Sequence, residues 1–306
     1  MTPSMAKMPK LVNSVLASNV YDKLSQVTIG YVDTPLLSIP TLSQRVTQHK
    51  FAVFDLSQLQ SMSRDERGNS LLIVQDPFTS FYDAKVVEDF MLLVKKLGFE
   101  PILLPFKPNG KPQHVKGFLA KFAKTAKSTA EFLNQIHQLE IPMVGLDASL
   151  TLCYRDEYKQ VLGGKRGSFE VKLAHEWLID IIDHQNCTIM NKSAKNENAI
   201  AYKLFAHCTE KTALAGSEGQ WQQIFQHFGL ALSSVSGGCC GMAGTYGHEK
   251  VNLANSKALY QMSWQEKVAT LGTEQILVTG YSCRSQIKRL DNKLTLHPVQ
   301  ALLNAI

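Results

Sequence analysis

Four cysteines in the second half of the chain have the residue type and spacing for metal chemistry. Cys239 and Cys240 are adjacent in the glycine-rich stretch SGGCCGMAGTYG (236–247), and Cys208 and Cys283 lie on either side of it. Four thiolates can bind an iron–sulfur cluster or a tetrahedral zinc ion. Any one of these cysteines alone could instead be a buried, inert thiol beside a tight turn. The interpretation therefore depends on whether the fold brings all four together.

The glycines around the cysteine pair suit a loop that wraps closely around a cofactor. We expect Gly238, Gly241 and Gly244 to belong to this cofactor site, because glycine permits positive φ angles and close backbone approach. Such a loop also leaves N–H groups free to hydrogen-bond the sulfur atoms, which tunes the reduction potential of a cluster. A phosphate-binding loop is disfavoured, since the stretch lacks the Walker lysine and serine. Thiol–disulfide exchange is also disfavoured, since Cys283 does not begin a CxxC motif.

The elements that must position the cysteines are short parallel strands. Apolar runs predict strands at 201–208, 230–235 and 275–280, and each run ends at or shortly before a cysteine. Predicted helices at 220–228 and about 249–271 separate them. In an open α/β sheet, the segments that follow parallel strands converge on one edge, where ligands bind. The four thiols should therefore lie at one place. His207, directly before Cys208, is a further candidate, as a ligand, a hydrogen-bond donor behind the ligands, or a packed strand-end histidine.

The first half of the chain shows the same alternation without the cysteines. Strands are predicted at 71–75, 100–106 and 141–146, with helices at 83–97 and about 114–139. The order recurs at an offset of about 130 residues, which predicts two duplicated α/β domains with mostly parallel sheets. The predicted divisions are an irregular N-terminal lead-in at 1–65 with a helix from about Pro9 to Leu24, a first repeat at 66–189, a polar linker at 190–199 and a cysteine-rich domain at 200–306.

Composition limits the class of protein. The chain has 306 residues, which is enough for two domains of ordinary size. Of these residues 44% are hydrophobic and 19% charged, a composition typical of globular proteins. The net charge of +6 could suit nucleic acid, but no nucleic-acid motif or arginine-rich arm is visible, so we expect no such partner. The longest apolar runs, such as 90–94, are too short to span a membrane, and no signal peptide is visible. We expect a cytoplasmic chain with reduced thiols.

Several segments resemble a known family. Cys208, the CCG at 239–241, Cys283 and the LHPV at 296–299 resemble the CCG cysteine-rich domain that occurs in heterodisulfide reductase and in the iron–sulfur component of glycolate oxidase. Four longer segments together resemble the C-terminal part of large bacterial FAD-linked D-2-hydroxyacid dehydrogenases, which act on D-2-hydroxyglutarate or D-lactate. These segments are QDPFTSFYDAKVVEDF, LPFKPNGKPQHVKGFLAKF, LCYRDEY and GGCCGMAGTYGHE.

The resemblance implies an electron-transfer module rather than a complete enzyme. Cys208, Cys239, Cys240 and Cys283 would ligate one iron–sulfur cluster of the 4Fe-4S type. FAD would belong to an upstream flavin domain, followed by a ferredoxin-type region, and neither is visible in this chain. The implied partners are those upstream domains and an unnamed electron acceptor. The chain alone is not expected to catalyse the reaction, and a peripheral place at the inner membrane stays open.

The chain departs from the family pattern in informative ways. Asp76 stands near the position that corresponds to Cys208, and Lys107-Pro108 near that of the cysteine pair, so the first repeat has lost the ligands. Only Cys153 remains there. The second repeat lacks the final cysteine of the family's CxxC, which leaves four thiols. A zinc-stabilised structural and docking module therefore stays the alternative to an iron–sulfur module. The roles of Asp76, Cys153, Cys187 and His248 stay open.

Overall fold

The computed structural model describes residues 2–183 and 200–306. Cys187 and the predicted linker at 190–199 lie outside these residues. The described residues form an α/β fold with two sheets of parallel strands, which confirms the predicted α/β class and the parallel sheets. In the two described ranges, none of the helices combines the length and the apolar character needed to cross a membrane.

The N-terminal segment is more regular than the sequence predicted. Instead of one helix from about Pro9 to Leu24 it has two, because the first ends at Leu16 and Ser18 caps the second through its hydroxyl. A two-residue strand in this segment pairs with the first sheet, so the segment is not a free lead-in. Its elements are α1 (Thr2–Met5), α2 (Pro9–Leu16), α3 (Asn19–Thr28), α4 (Leu42–Gln48), β1 (Ala52–Val53), α5 (Leu56–Ser61) and α6 (Arg64–Gly68).

The first sheet has five parallel strands in the order β1-β3-β2-β4-β5. The three predicted strands are present but shorter, and β5 was not predicted. The predicted helix at about 114–139 is broken near Gly117, whose φ angle is +76°. The elements are β2 (Ser70–Ile73), α7 (Pro77–Tyr82), α8 (Ala84–Lys96), β3 (Glu100–Leu103), α9 (Lys111–Val115), α10 (Leu119–His137), β4 (Met143–Gly145), α11 (Ala148–Cys153), α12 (Glu157–Leu162), a 3-10 turn (Gly163–Arg166), β5 (Lys172–Leu173) and α13 (Ala174–Asp183).

The second sheet has three parallel strands in the order β7-β6-β8, and all three were predicted. The predicted long helix at about 249–271 is instead a series of short 3-10, α and π segments. The elements are β6 (Ala201–Phe205), α14 (Cys208–Ala213), α15 (Ser217–His227), β7 (Ala231–Ser234), 3-10 turns (Tyr246–His248, Lys250–Asn252), α16 (Leu253–Tyr260), a π segment (Gln261–Gln265), α17 (Glu266–Ala269), a 3-10 turn (Thr273–Gln275), β8 (Ile276–Val278), α18 (Tyr281–Asp291) and α19 (Pro298–Ala305).

One continuous apolar core joins the two sheets. Leu71 of β2 and Leu204 of β6 belong to the same buried cluster, although they come from different sheets. Helices α8 and α19 pack against each other within this cluster. Gln300 of α19 also donates a hydrogen bond of 2.8 Å to the Asp89 carboxylate of α8. The core therefore holds the carboxyl ends of both sheets in a fixed relation.

Candidate metal centre

The four predicted cysteines come together at the carboxyl edge of the second sheet. Cys208 begins α14 directly after β6, Cys239 and Cys240 lie in the loop after β7, and Cys283 lies in the first turn of α18 after β8. Their thiols form a chain of contacts in which Cys239 accepts from Cys208 and Cys240, and Cys240 contacts Cys283. All four are free thiols. The convergence expected from three parallel strands is thus present.

A cavity of about 220 Å³ lies beside these thiols. Cys208, Cys239 and Cys240 form part of its wall, while Cys283 is 1% exposed and lies behind Cys240. Among the residues that the structure describes, no three His, Cys, Asp or Glu side chains are placed to hold a metal ion as they stand. The thiols instead hydrogen-bond one another.

The thiols differ in acidity because of their hydrogen bonds. Hydrogen bonds from the thiols of Cys208 and Cys240 lower the pKa of Cys239, and the Gly241 N–H adds another at 3.3 Å. The same hydrogen bonds raise the pKa of Cys208 and of Cys240, whose protons they use, and burial raises both further. Cys239 is therefore the first thiolate of the group. The backbone N–H groups of Thr209 and Met242 partly offset this rise in the pKa of Cys208 and of Cys240, respectively.

Two glycines allow the cysteine loop its shape. Gly241 has a φ angle of +81°, and a Cβ atom there would lie 2.1 Å from the backbone oxygen of Ser256. Gly244 also has a positive φ angle, +68°, but a Cβ atom there would have no neighbour within 4 Å, and the residue lines the cavity. Position 241 thus requires glycine for its positive φ angle and for its close contact with Ser256. Position 244 favours glycine for its φ angle alone.

The start of the loop is held by the segment that follows it. The indole N–H of Trp264 donates to the backbone oxygen of Gly238 at 3.0 Å, and Lys211 donates to that of Gly237 at 2.6 Å. A Cβ atom at Gly238 would lie 2.8 Å from the Ser263 hydroxyl oxygen. Trp264 and Ser263 belong to the π segment, a rare local widening of a helix that is frequent at functional sites. The widened turn directs these side chains onto the loop.

His207 caps a helix beside the cavity. Its Nδ1 accepts from the Thr209 N–H at 3.2 Å, and its Nε2 is 3.4 Å from the Ser282 hydroxyl. Burial lowers the pKa of His207, so the ring is neutral at pH 7. Nδ1 is occupied by the helix cap, and the ring forms part of the cavity wall. A Cβ atom at Gly280 would lie 2.3 Å from this ring, so the glycine makes room for it.

The opposite wall of the cavity comes from the first half, which the sequence analysis did not predict. Phe78, Lys111 and Leu150 line it, each from a segment that follows a strand of the first sheet. Asp147 fixes the two halves to each other, because its carboxylate accepts from the Tyr281 N–H at 3.1 Å and from the Leu150 N–H at 3.2 Å. The signal for Asp147 was its place directly after a predicted strand, which is a helix-cap position.

Asp76, Cys153 and His248, whose roles were open, lie away from the cavity wall. Asp76 caps α7, accepting from the N–H groups of Phe78 at 2.7 Å and Thr79 at 2.8 Å. Burial, and then the nearby carboxylate of Asp147, raises the pKa of Asp76 to about 7. Cys153 is buried in the core of the first half. His248 contacts the N-terminal segment through a hydrogen bond of 3.1 Å between its Nδ1 and the backbone oxygen of Val32.

Comparison with known proteins identifies relatives along nearly the whole chain. No family model matches. The chain is 51% identical over 304 residues to the D-2-hydroxyglutarate dehydrogenase of Escherichia coli (strain K12), which covers 99% of this chain and 29% of that protein. It is 37% identical over 301 residues to the D-2-hydroxyglutarate dehydrogenase of Pseudomonas putida (strain KT2440), with shares of 98% and 29%. It is also 24% identical over 234 residues to one of the subunits of the anaerobic glycerol-3-phosphate dehydrogenase of Escherichia coli (strain K12), with shares of 75% and 57%. The chain thus spans less than a third of the length of the D-2-hydroxyglutarate dehydrogenases that it matches.

Proposed function

We propose that this chain is the iron–sulfur, electron-transfer part of an oxidoreductase that acts on a D-2-hydroxyacid. The observation that carries the proposal is the group of four free thiols, from three strand ends, beside one cavity. D-2-hydroxyglutarate is the proposed substrate of the whole enzyme, ahead of D-lactate, because it is named for relatives of 37% to 51% identity.

Cys208, Cys239, Cys240 and Cys283 would hold the cluster, with Cys239 as the first thiolate. A bound cluster supplies one-electron transfer. The chain's own residues supply the rest of the site. The N–H groups of Gly241 and Met242 would stabilise the thiolates of Cys239 and Cys240. The two halves enclose the site from both sides, with Cys240 and Cys283 buried and Cys208 and Cys239 partly exposed.

A zinc-stabilised docking module is the second candidate. The same four thiols would suit tetrahedral zinc, whose binding energy would appear as folding energy. The cavity of about 220 Å³ favours the cluster, because a single ion needs little space beyond its ligands while a cluster of several irons and sulfides fills a chamber. The two candidates differ in iron content, colour and response to reductant.

Reconstitution tests this proposal. The chain is incubated without oxygen with iron and sulfide, and its visible absorption is followed before and after dithionite. We expect a brown band that dithionite bleaches, and its loss in Cys239→Ser. Cys153→Ala is the matched control, since it removes a buried thiol outside the group. A wild-type chain that folds but stays colourless, or a Cys239→Ser variant that keeps the full band, contradicts the proposal.

The N-terminal helices support a partner that covers them. Leu11 and Val15 on α2 are 59% and 51% exposed, and on α3 the side chains of Val20, Leu24 and Val27 are 76%, 59% and 82% exposed. Their spacing places them in one stripe on each helix. We propose that the flavin and ferredoxin-type part of such a dehydrogenase packs on these stripes. The E. coli relative is long enough to contain such a part, since this chain matches only 29% of its length.

We also propose that the two halves arose by duplication. When the two-residue edge strands β1 and β5 are set aside, the remaining strands run β3-β2-β4 in the first sheet and β7-β6-β8 in the second, so that in both the earliest of the three lies in the middle. Asp76 follows β2 and caps the short helix α7, and Cys208 follows β6 and is the first residue of the short helix α14. The first half would then have exchanged its metal ligands for helix caps and now supplies a wall of the cavity.

A further inference from the structure

A second cavity, of about 490 Å³, lies near the thiol cavity along helix α18. Residues 33–36 of the N-terminal segment, the end of α7 and one face of α18 enclose it. Its volume is in the range of small-molecule sites, which run from about 300 to 1,000 Å³. None of the residues assigned above to the metal centre forms its wall.

A stacked pair of aromatic rings separates the two cavities. Phe78 lines the thiol cavity and Tyr281 lines the second one. Their rings are 5.2 Å apart between centroids and 13° from parallel. Tyr82, whose ring centroid is 6.2 Å from that of Tyr281, also lines the second cavity. A flat ring held against Tyr281 would thus lie one aromatic pair away from the thiols.

The wall of the second cavity carries an excess of positive charge. Arg284, Lys288 and Arg289 line it from α18, against Asp33 and Asp83. Arg284 donates to Asp83 at 2.8 Å, and Arg289 donates to Asp33 at 2.7 Å.

Lys288 is the third cation of this wall and takes no part in these two ion pairs. It lies one turn after Arg284 and shows no ion pair within residues 2–183 and 200–306. The buried hydroxyl of Thr295, which also lines the cavity, has no hydrogen-bond partner in the described part of the chain. An anionic group could therefore bind to Lys288 without displacing an ion pair, and to the Thr295 hydroxyl once that side chain turns its buried oxygen towards the cavity.

We propose that this cavity binds a flat aromatic molecule with a phosphate or carboxylate group, and that this molecule accepts the electrons of the cluster. The ring would pack on Tyr281, and the anionic group would bind to Lys288 and the hydroxyl of Thr295. The electron-accepting role rests on the proposed function, whereas the binding does not. A reduced cluster held by the four cysteines would supply one electron for each electron that the bound ring gains, and the protons taken up by the reduced ring would come from water.

Flavin mononucleotide and riboflavin test the binding, because they share one ring system and differ in the phosphate. Each is titrated into the chain without a cluster, and quenching of flavin fluorescence is measured. We expect saturable binding that is tighter for flavin mononucleotide. Charge reversal in Lys288→Glu should weaken flavin mononucleotide about tenfold and leave riboflavin within about twofold. Lys257→Glu, an exposed lysine of α16 outside the cavity, should change neither.

Two results would overturn the inference. One is the absence of saturable quenching by either flavin. The other is an equal affinity of wild type and Lys288→Glu for flavin mononucleotide. In the reconstituted, dithionite-reduced chain, the rate of electron transfer to flavin mononucleotide should saturate with its concentration, and Lys288→Glu should shift that saturation upwards. Failure of the chain to take up a cluster refutes the proposed function and the accepting role, but leaves the binding result standing, so the two failures are distinguishable.

Discussion

The bend of the cysteine loop at Gly241 gives the sharpest test of how the site is built. In Gly241→Ala the new Cβ atom would lie 2.1 Å from the backbone oxygen of Ser256, at a φ angle of +81°. In Gly244→Ala, three residues further on, the φ angle is +68° but no atom lies within 4 Å of the new Cβ. The two substitutions share the cost of the backbone angle and differ in the clash.

The expected magnitudes follow from this difference. A left-handed backbone costs an alanine about 1–2 kcal/mol, so Gly244→Ala should lower the free energy of unfolding by that amount. The clash at Gly241 involves main-chain oxygen, which no side-chain rotation relieves. It must move the loop or α16, at an added cost of about 1–3 kcal/mol. We therefore expect Gly241→Ala to cost about 2–5 kcal/mol and to displace the adjacent cysteines.

Urea unfolding followed by tryptophan fluorescence measures both variants, and iron uptake after reconstitution measures the effect on the site. We expect the loss of stability and of iron to be larger in Gly241→Ala than in Gly244→Ala. Equal losses of stability in the two variants would refute the reasoning, because they would show that the contact with Ser256 contributes nothing.

Three other perturbations test the rest of the structure by urea unfolding. Burial and the neighbouring Asp147 raise the pKa of Asp76 to about 7, so the folded state binds its proton more tightly than the unfolded state, and this stabilisation is present at low pH and lost as pH rises towards 7. Between pH 5 and pH 8 the wild type should lose about 2–3 kcal/mol of unfolding free energy relative to Asp76→Asn, and parallel pH profiles would contradict this. Arg284→Met should cost about 3 kcal/mol, because it removes the donor to the Asp83 carboxylate and to two backbone carbonyl groups; a loss below about 1 kcal/mol would count against that pairing. Trp264→Phe should cost about 1–3 kcal/mol by removing the indole donor to the cysteine loop, and an unchanged stability would show that this hydrogen bond does not hold the loop.

The sequence was sufficient for the parts of the fold that depend on local periodicity. Apolar runs of four or more residues predicted β2, β3, β4, β6, β7 and β8, and the rule for parallel sheets placed the four cysteines at one edge. The two-residue strands β1 and β5 were not predictable, because so short a segment carries no period of its own. They are strands because the backbone of β3 pairs with β1 and the backbone of β4 pairs with β5.

The missed features of the site depend on contacts between distant segments. The helix predicted at about 249–271 has the right composition, but the π segment and the 3-10 turns reshape it where it packs on the cysteine loop. Phe78 and Lys111 line the cavity because the two sheets share one core, and their own segments carry no pattern that predicts such a place. The capping role of His207 likewise depends on a side-chain geometry that residue type leaves open.

The central claim is tested most directly by the iron, sulfide and zinc content of the chain purified without oxygen. We expect about four iron and four sulfide per chain after reconstitution, with little zinc, and a loss of both in Cys239→Ser. One zinc per chain, without colour and without iron uptake, would contradict the electron-transfer role and make the four cysteines a structural zinc site.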